Sequence, residues 1–211
     1  MNFKTEQEKF WHEQFGDDYI DRNDDELLLS RKTGQFSKML SRTQEIDSII
    51  EFGCNIGLNL FAIKRLIPGC EVSGIEINTK AAAALKNNYE LIYDDKINIY
   101  SQSILDFGID YQRDIVLTSG VLIHINPDFL QDVYQRLYDA SKKYILIAEY
   151  YSPTPIEVIY RGNKGKLFKR DFAGEILDKF NDLVLIDYGF IYHRDGIFPG
   201  DDITWFLIKK Q

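Results

Sequence analysis

Disulfides, membrane crossing and nucleic-acid binding are all poorly provided for in this sequence of 211 residues. Cys54 and Cys70 are its only cysteines, too few for a disulfide framework, and no metal-type spacing of Cys and His surrounds them. No apolar run approaches the length needed to span a bilayer. Residues 1–9 are charged where a signal peptide would be apolar. Basic residues are the minority, 25 Lys and Arg against 33 Asp and Glu, so with a net charge of -8 the surface on average repels a phosphate backbone. The chain is therefore expected to be cytoplasmic with reduced cysteines, with neither nucleic acid nor membrane as partner. Repeats, low-complexity tracts and Pro/Gly/Ser-rich linkers are absent too, and this length suits one domain with a sizeable core.

What is present is an alternation of strand-like apolar runs with helical patterns, the signature of a parallel α/β sheet. Thr5-Glu-Gln-Glu8 reads as a capping box opening a helix that carries Phe10, Trp11 and Phe15. A second helix is expected from Asp25 to about Arg42. Strands follow at 46–52, 71–76, 97–100, 115–118 and 144–148. Helices lie between them near 58–66, around Ala81–Ala84 behind an Asn78 cap, and from Asn126-Pro127 through Tyr138. Two last strands near 183–191 and 203–208 are joined by a loop only, which predicts an antiparallel hairpin closing a sheet of seven strands. The expected architecture is three-layer α/β/α and doubly wound, with residues 1–45 as a helical lid and 46–211 as the core.

The sharpest signal is Glu51-Phe-Gly53-Cys-Asn55-Ile-Gly57-Leu-Asn59, at the strand-to-helix turn where open α/β sheets bind ligands. Its glycines leave room for a ligand at the backbone. An acid at Glu51 suits an ammonium group and would repel a pyrophosphate. Asn55 stands where a dinucleotide fingerprint carries its second glycine, so the turn fits a ligand with an amino-acid end better than NAD. Glu76, ending the second strand, is placed to accept ribose hydroxyls.

These features resemble the class I S-adenosylmethionine-dependent methyltransferases, over about residues 46–211. The resemblance implies that Glu51, Gly53, Asn55 and Gly57 cradle the methionine part of S-adenosyl-L-methionine, that Glu76 holds the ribose, and that S-adenosyl-L-homocysteine is the product. After the third strand that family often has an acid facing the adenine amino group. Here Ser103 takes the slot, so its hydroxyl and the Ile104 backbone would serve. Ser119 and the segment Gly120-Val-Leu-Ile-His124 would lie beside the methyl group. His124 is either a general base or a histidine hydrogen-bonded within its own turn.

Across the whole chain the sequence also resembles the methylases associated with pseudaminic acid biosynthesis. The likeness rests on Glu51–Asn59, Gly120–Pro127, Glu149-Tyr-Tyr-Ser-Pro-Thr-Pro155, Tyr160-Arg-Gly162, Leu167-Phe-Lys-Arg-Asp-Phe-Ala-Gly174 and Asp201-Asp-Ile-Thr-Trp205. It implies a small anionic acceptor, a nonulosonic sugar or its nucleotide-linked or biosynthetic precursor. The residues agree: Arg161, Lys164, Lys166, Lys169 and Arg170 gather five bases with no acid between 161 and 170, a seat for a carboxylate or phosphate unless they form a solvated loop. Arg161, Lys169 and Arg170, with Tyr150 and Tyr151 at the end of the fifth strand, are the candidate acceptor contacts. Those tyrosines either line a sugar pocket or cap the sheet. Two rival readings stand beside this one. A nicotinamide-dependent oxidoreductase or epimerase would use a Tyr-x-x-x-Lys pair, and Tyr138 and Lys142 have that spacing, read here as coincidence. The other is a non-catalytic cofactor-binding scaffold.

Overall fold

Strand β1 (Ser48–Phe52) lies inside a seven-stranded sheet, hydrogen-bonded in parallel to β2 (Glu71–Ile75) on one side and to β4 (Arg113–Ser119) on the other. β3 (Asn98–Tyr100) extends the sheet beyond β2, and β5 (Ser141–Glu149) beyond β4. β9 (Ile203–Lys210) runs antiparallel to β5, and β8 (Leu183–Ile191) pairs with β9 to complete the order β3-β2-β1-β4-β5-β9-β8. The computed structural model describes residues 2–20 and 26–211.

Successive residues of the central strands feed two separate cores, as a period of two demands. Ile49, Ile115, Leu117 and Leu146 face α3 (Glu26–Met39), α4 (Leu58–Leu66) and α5 (Thr79–Tyr93), meeting Phe36, Leu60 and Leu85 there. Ile50, Phe52, Val116 and Ile145 face α6 (Leu130–Ala140) and α7 (Phe172–Lys179), against Leu137 and Ile176. Both sheet faces are thus covered, giving the expected three layers. The strand order reverses between β1 and β4, which opens a crevice at their carboxyl ends.

Local chemistry sets the element boundaries. Thr5 and Glu8 form the expected capping box on α1 (Glu6–His12), and the Asn78 side chain accepts from Ala81 N at the start of α5. The single N-terminal helix expected from the sequence is two, because Glu13 adopts an extended conformation between α1 and α2 (Gln14–Ile20). The expected start of α3 at Asp25 lies outside the described residues. Asn126 caps a 3-10 turn over Pro127–Phe129 rather than the long helix itself, which begins at Leu130.

The basic segment expected as a loop is a strand. β6 (Ile156–Tyr160) and β7 (Asn163–Lys169) form a separate antiparallel hairpin, turning at Arg161 and Gly162 with φ of 49° and 83°. Two consecutive positive φ values are what a two-residue hairpin turn requires. α7, capped by Asp171, was not read from the sequence either. Among the described residues no helix is long and apolar enough to cross a membrane.

Candidate active site

A cavity with about 1160 Å³ of empty space, its open mouth included, occupies the crevice where the strand order reverses. Its floor is the turn from Glu51 to Asn59. Gly53, Asn55 and Gly57 all have left-handed backbones there, with φ of 78°, 47° and 82°. The turn is strapped to β2, since the N–H groups of Gly53 and Cys54 both donate to the Ile75 carbonyl. The glycines answer to protein neighbours more than to open space. A Cβ on Gly57 would stand 2.2 Å from Leu85 of α5, and one on Gly53 2.6 Å from Val121. Their absent side chains therefore let the turn close against α5 and the segment after β4, rather than simply clearing a path for a ligand.

Glu51 and Glu76 lie on that floor as buried carboxyl groups. Asn59 Nδ2 donates to Glu51 Oε1 at 2.5 Å, and Lys32 Nζ from α3 donates to Asn59 Oδ1 at 2.8 Å. Among the described residues Glu51 Oε2 has no hydrogen-bond partner, nor has the side-chain oxygen of Asn55. Burial pushes Glu51 up to about 7, against the opposing pull of Asn59 and Lys32. The Lys32 stem is partly exposed, whereas desolvation of its ammonium end holds it below the usual lysine range. Glu76 accepts the N–H of Asn55 on Oε2 and that of Asn78 on Oε1, each at 2.7 Å, and burial still raises it. Each oxygen keeps a further lone pair.

Further along, Ser103, Ile104 and Ser119 border the same cavity. The Ser103 hydroxyl donates to Glu8 of α1 and accepts from Leu105 N at 3.0 Å. α1 and α2 border the cavity too, with Gln7, Glu8, Trp11 and Tyr19. Gln7 reaches the hairpin, donating to the Gly165 carbonyl at 2.8 Å.

His124 closes a 3-10 turn over Leu122–His124. Glu149, at the end of β5, holds that turn by accepting the N–H groups of Val121 and Leu122 at 3.0 Å and of Ile123 at 3.5 Å. Thr118 Oγ1 donates to it at 2.9 Å, and burial pushes Glu149 up to about 7. His124 Nδ1 is 2.5 Å from the Lys166 carbonyl of β7, and its ring lies 4.6 Å from Trp11 and 4.9 Å from Tyr160. Burial pushes His124 down to about 4, so the ring is neutral at neutral pH. A carbonyl only accepts, so the proton is assigned to Nδ1 and the lone pair to Nε2. The side-chain hydrogen bond of His124 thus runs to β7 rather than within its own turn, and its ring borders the cavity.

The candidate acceptor residues scatter. Tyr150 is half-buried with Lys169 Nζ 4.8 Å above its ring, and burial pushes its phenol up to about 12. Arg161 stands exposed at the hairpin turn, 5.9 Å from the Tyr160 ring centre. Arg170 is drawn to Glu175 at 3.0 Å, and Glu175 also accepts from the Tyr134 hydroxyl. Tyr151 packs on Phe206. None of these five borders the cavity itself. Tyr138 and Lys142 lie at the far end of α6 and the start of β5, where Tyr138 donates to Asp182. The sequence reading missed Glu8, Lys32 and Glu149, each of which acts across the fold on a residue far away in the chain.

Strand order, three layers and a cofactor-sized crevice at the β1/β4 reversal define the Rossmann-like methyltransferase fold. Among solved structures the chain resembles a magnesium protoporphyrin IX methyltransferase from Synechocystis, crystallised with bound SAM (13% identity, all of both chains, TM-score 0.70). It also resembles the 1,6-didemethyltoxoflavin N1-methyltransferase of Burkholderia thailandensis (13% identity, 100% of this chain and 92% of that one, TM-score 0.72). A third is the N-methyltransferase NodS from Bradyrhizobium japonicum (14% identity, 89% of this chain and 98% of that one, TM-score 0.64). No protein-family model and no curated protein matches the sequence.

Proposed function

We propose that the chain is an S-adenosyl-L-methionine-dependent methyltransferase acting on a small anionic acceptor in the cytoplasm. The acceptor we favour is a nonulosonic (pseudaminic-type) sugar or its nucleotide-linked or biosynthetic precursor. One observation carries the reading: a buried carboxyl oxygen of Glu51 and the side-chain oxygen of Asn55, both unpaired among the described residues, stand beside the Lys32–Asn59 pair on the cavity floor. Orphaned buried acceptors cost free energy unless a ligand satisfies them. An ammonium for Glu51 and a carboxylate for Lys32 are the two ends of an amino acid. Glu76 would take the ribose hydroxyls, with Gly53 and Gly57 shaping the cradle, and Ser103, Ile104 and Ser119 completing the walls. Neighbours of the same fold were crystallised with SAM or with S-adenosylhomocysteine bound.

When bound, S-adenosyl-L-methionine would supply an electrophilic methyl group, with S-adenosyl-L-homocysteine as the product. The protein's own part is positioning and proton handling. His124 Nε2 takes the proton of an attacking hydroxyl, Glu149 fixes the turn that aims the ring, and α1 with α2 acts as a lid that excludes water. Lys169, over the Tyr150 ring, and Arg161, at the hairpin turn, would meet an anionic group outside the cavity itself, and the acids Asp201 and Asp202 near Tyr150 and Lys169 limit how much negative charge is accepted there. Calorimetry with S-adenosyl-L-homocysteine and with NAD tests the cofactor. Labelled methyl transfer to activated nonulosonic acids and their precursors, read by mass spectrometry, tests the acceptor. NAD binding without binding of the thioether overturns the proposal in favour of an oxidoreductase, and thioether binding with no transfer to any acceptor points to a scaffold.

A further inference from the structure

A ligand whose amino-acid end lies on β1 and whose ribose lies on Glu76 after β2 must carry its base onward to the next strand, β3. Sheet order alone dictates this, because β3 lies beyond β2 on that side. The segment after β3 borders the cavity with Ser103, Ile104 and Leu105. The six-position of adenine bears an amino group, which can only donate, so recognition there needs an acceptor. Ser103 is a poor one. Its hydrogen is given to Glu8 and one lone pair is taken by Leu105 N.

Glu8 is the better candidate. It is 6% exposed and borders the cavity. Its Oε2 is engaged with its own helix start, accepting the N–H of Lys4 at 2.6 Å and of Thr5 at 2.8 Å. Among the described residues its Oε1 accepts only the Ser103 hydroxyl, which leaves a lone pair on a buried oxygen. Lys4 fastens the same helix start to the base end of the cavity, donating to the Leu105 carbonyl at 3.0 Å and pairing with Asp106 at 2.6 Å.

We infer that Glu8, on the first N-terminal helix, is the acceptor for the adenine amino group, supplying from the lid the acid that the Ser103 position lacks, Asp106 being held by Lys4. The inference rests on the cofactor reading above. It makes the lid part of the cofactor site, so that base recognition and docking of α1 are one event.

The test compares S-adenosylhomocysteine with its inosine analogue, in which a carbonyl replaces the amino group, by calorimetry. Wild type should prefer the adenine ligand by about tenfold or more, the usual consequence of setting a buried acceptor against a carbonyl. Glu8→Gln should abolish or reverse that preference, because an amide N–H can donate to the carbonyl. The pair Glu8→Gln with Ser103→Asp returns a carboxyl to the same place and should restore it. If Glu8 only caps its helix, Glu8→Gln weakens both ligands equally, and that result overturns the inference. So does tight wild-type binding with no preference, which leaves the cofactor reading intact. Wild type that fails to bind S-adenosylhomocysteine overturns the cofactor reading and this inference with it.

Discussion

Removing the Glu51 carboxyl charge should show up as a proton count. The group is 1% exposed, and burial raises it from its usual 4.5 to about 7. Below about 7 the free protein therefore holds a proton on Glu51, opposite the position where an ammonium is expected. Binding an amino-acid end at the unpaired Oε2 favours the charged form, so the proton must leave as the ligand enters. At pH 6 about nine-tenths of the molecules carry it, and at pH 8 about one-tenth, so binding should release close to one proton at the lower pH and almost none at the higher. Affinity should fall by up to about tenfold per pH unit below 7. Calorimetry in buffers of different ionisation heat reads the proton count directly. Glu51→Gln keeps the size and the Asn59 contact, removes the pH-dependent release, and should weaken binding by about ten- to a hundred-fold, the worth of about 1–3 kcal/mol for a charge-assisted hydrogen bond. Lys32, pushed down by desolvation and drawn back up by the Glu51 charge, titrates together with Glu51, so Lys32→Met is measured alongside to separate its proton uptake from the Glu51 release. Wild-type binding at pH 6 with no proton release, or the same release from Glu51→Gln, would refute the assignment.

His124→Ala should lower turnover by roughly a hundred-fold while S-adenosylhomocysteine affinity holds, and the acid limb of the wild-type rate profile should fall well below the ordinary histidine value, because burial pushes His124 to about 4. Full activity in that variant would return the residue to a packing role. Glu149→Gln should loosen the turn that carries His124, lowering turnover more than cofactor affinity, as steady-state kinetics beside calorimetry would show. Glu51 and Glu149 both hold protons more tightly folded than unfolded between 4.5 and about 7, so stability should fall as pH rises through that window, and Glu149→Gln should flatten the fall in a thermal-melt series. Replacing Arg161 and Lys169 with Gln should raise the acceptor's Michaelis constant and leave cofactor binding unchanged. Arg170→Gln should instead reduce stability, since its guanidinium already faces Glu175. Equal acceptor kinetics in the first pair would remove the anionic-acceptor argument.

The strands of this fold are legible because each one declares itself locally. Ile-Ile-Glu-Phe followed by a Gly turn, or Tyr-Ile-Leu-Ile-Ala, carries its apolar run within a few residues, and the helices between them carry their own caps. The hairpin at 156–169 was missed for the opposite reason. Its second strand is written largely in Lys and Gly, its partner shows an apolar run that no neighbour confirms, and only the Arg161-Gly162 turn betrays the pairing. The site divides the same way. Glu51, Asn55 and Glu76 sit on one turn and one strand end, so spacing alone brings them together. Glu8, Lys32 and Glu149 reach the site by tertiary approach. Glu8 meets Ser103 and Lys32 meets Asn59 through contacts made only when a helix docks, and Glu149 meets the 121–123 backbone across neighbouring strands. Sequence spacing holds no trace of such meetings. Yet the gap that we propose Glu8 fills was visible: by the family resemblance, Ser103 stands where an acid facing the adenine amino group is expected. A slot with the wrong chemistry, on an otherwise consistent site, is a reason to look for the missing group on whichever segment folds over it, and here that segment is the first helix of the chain.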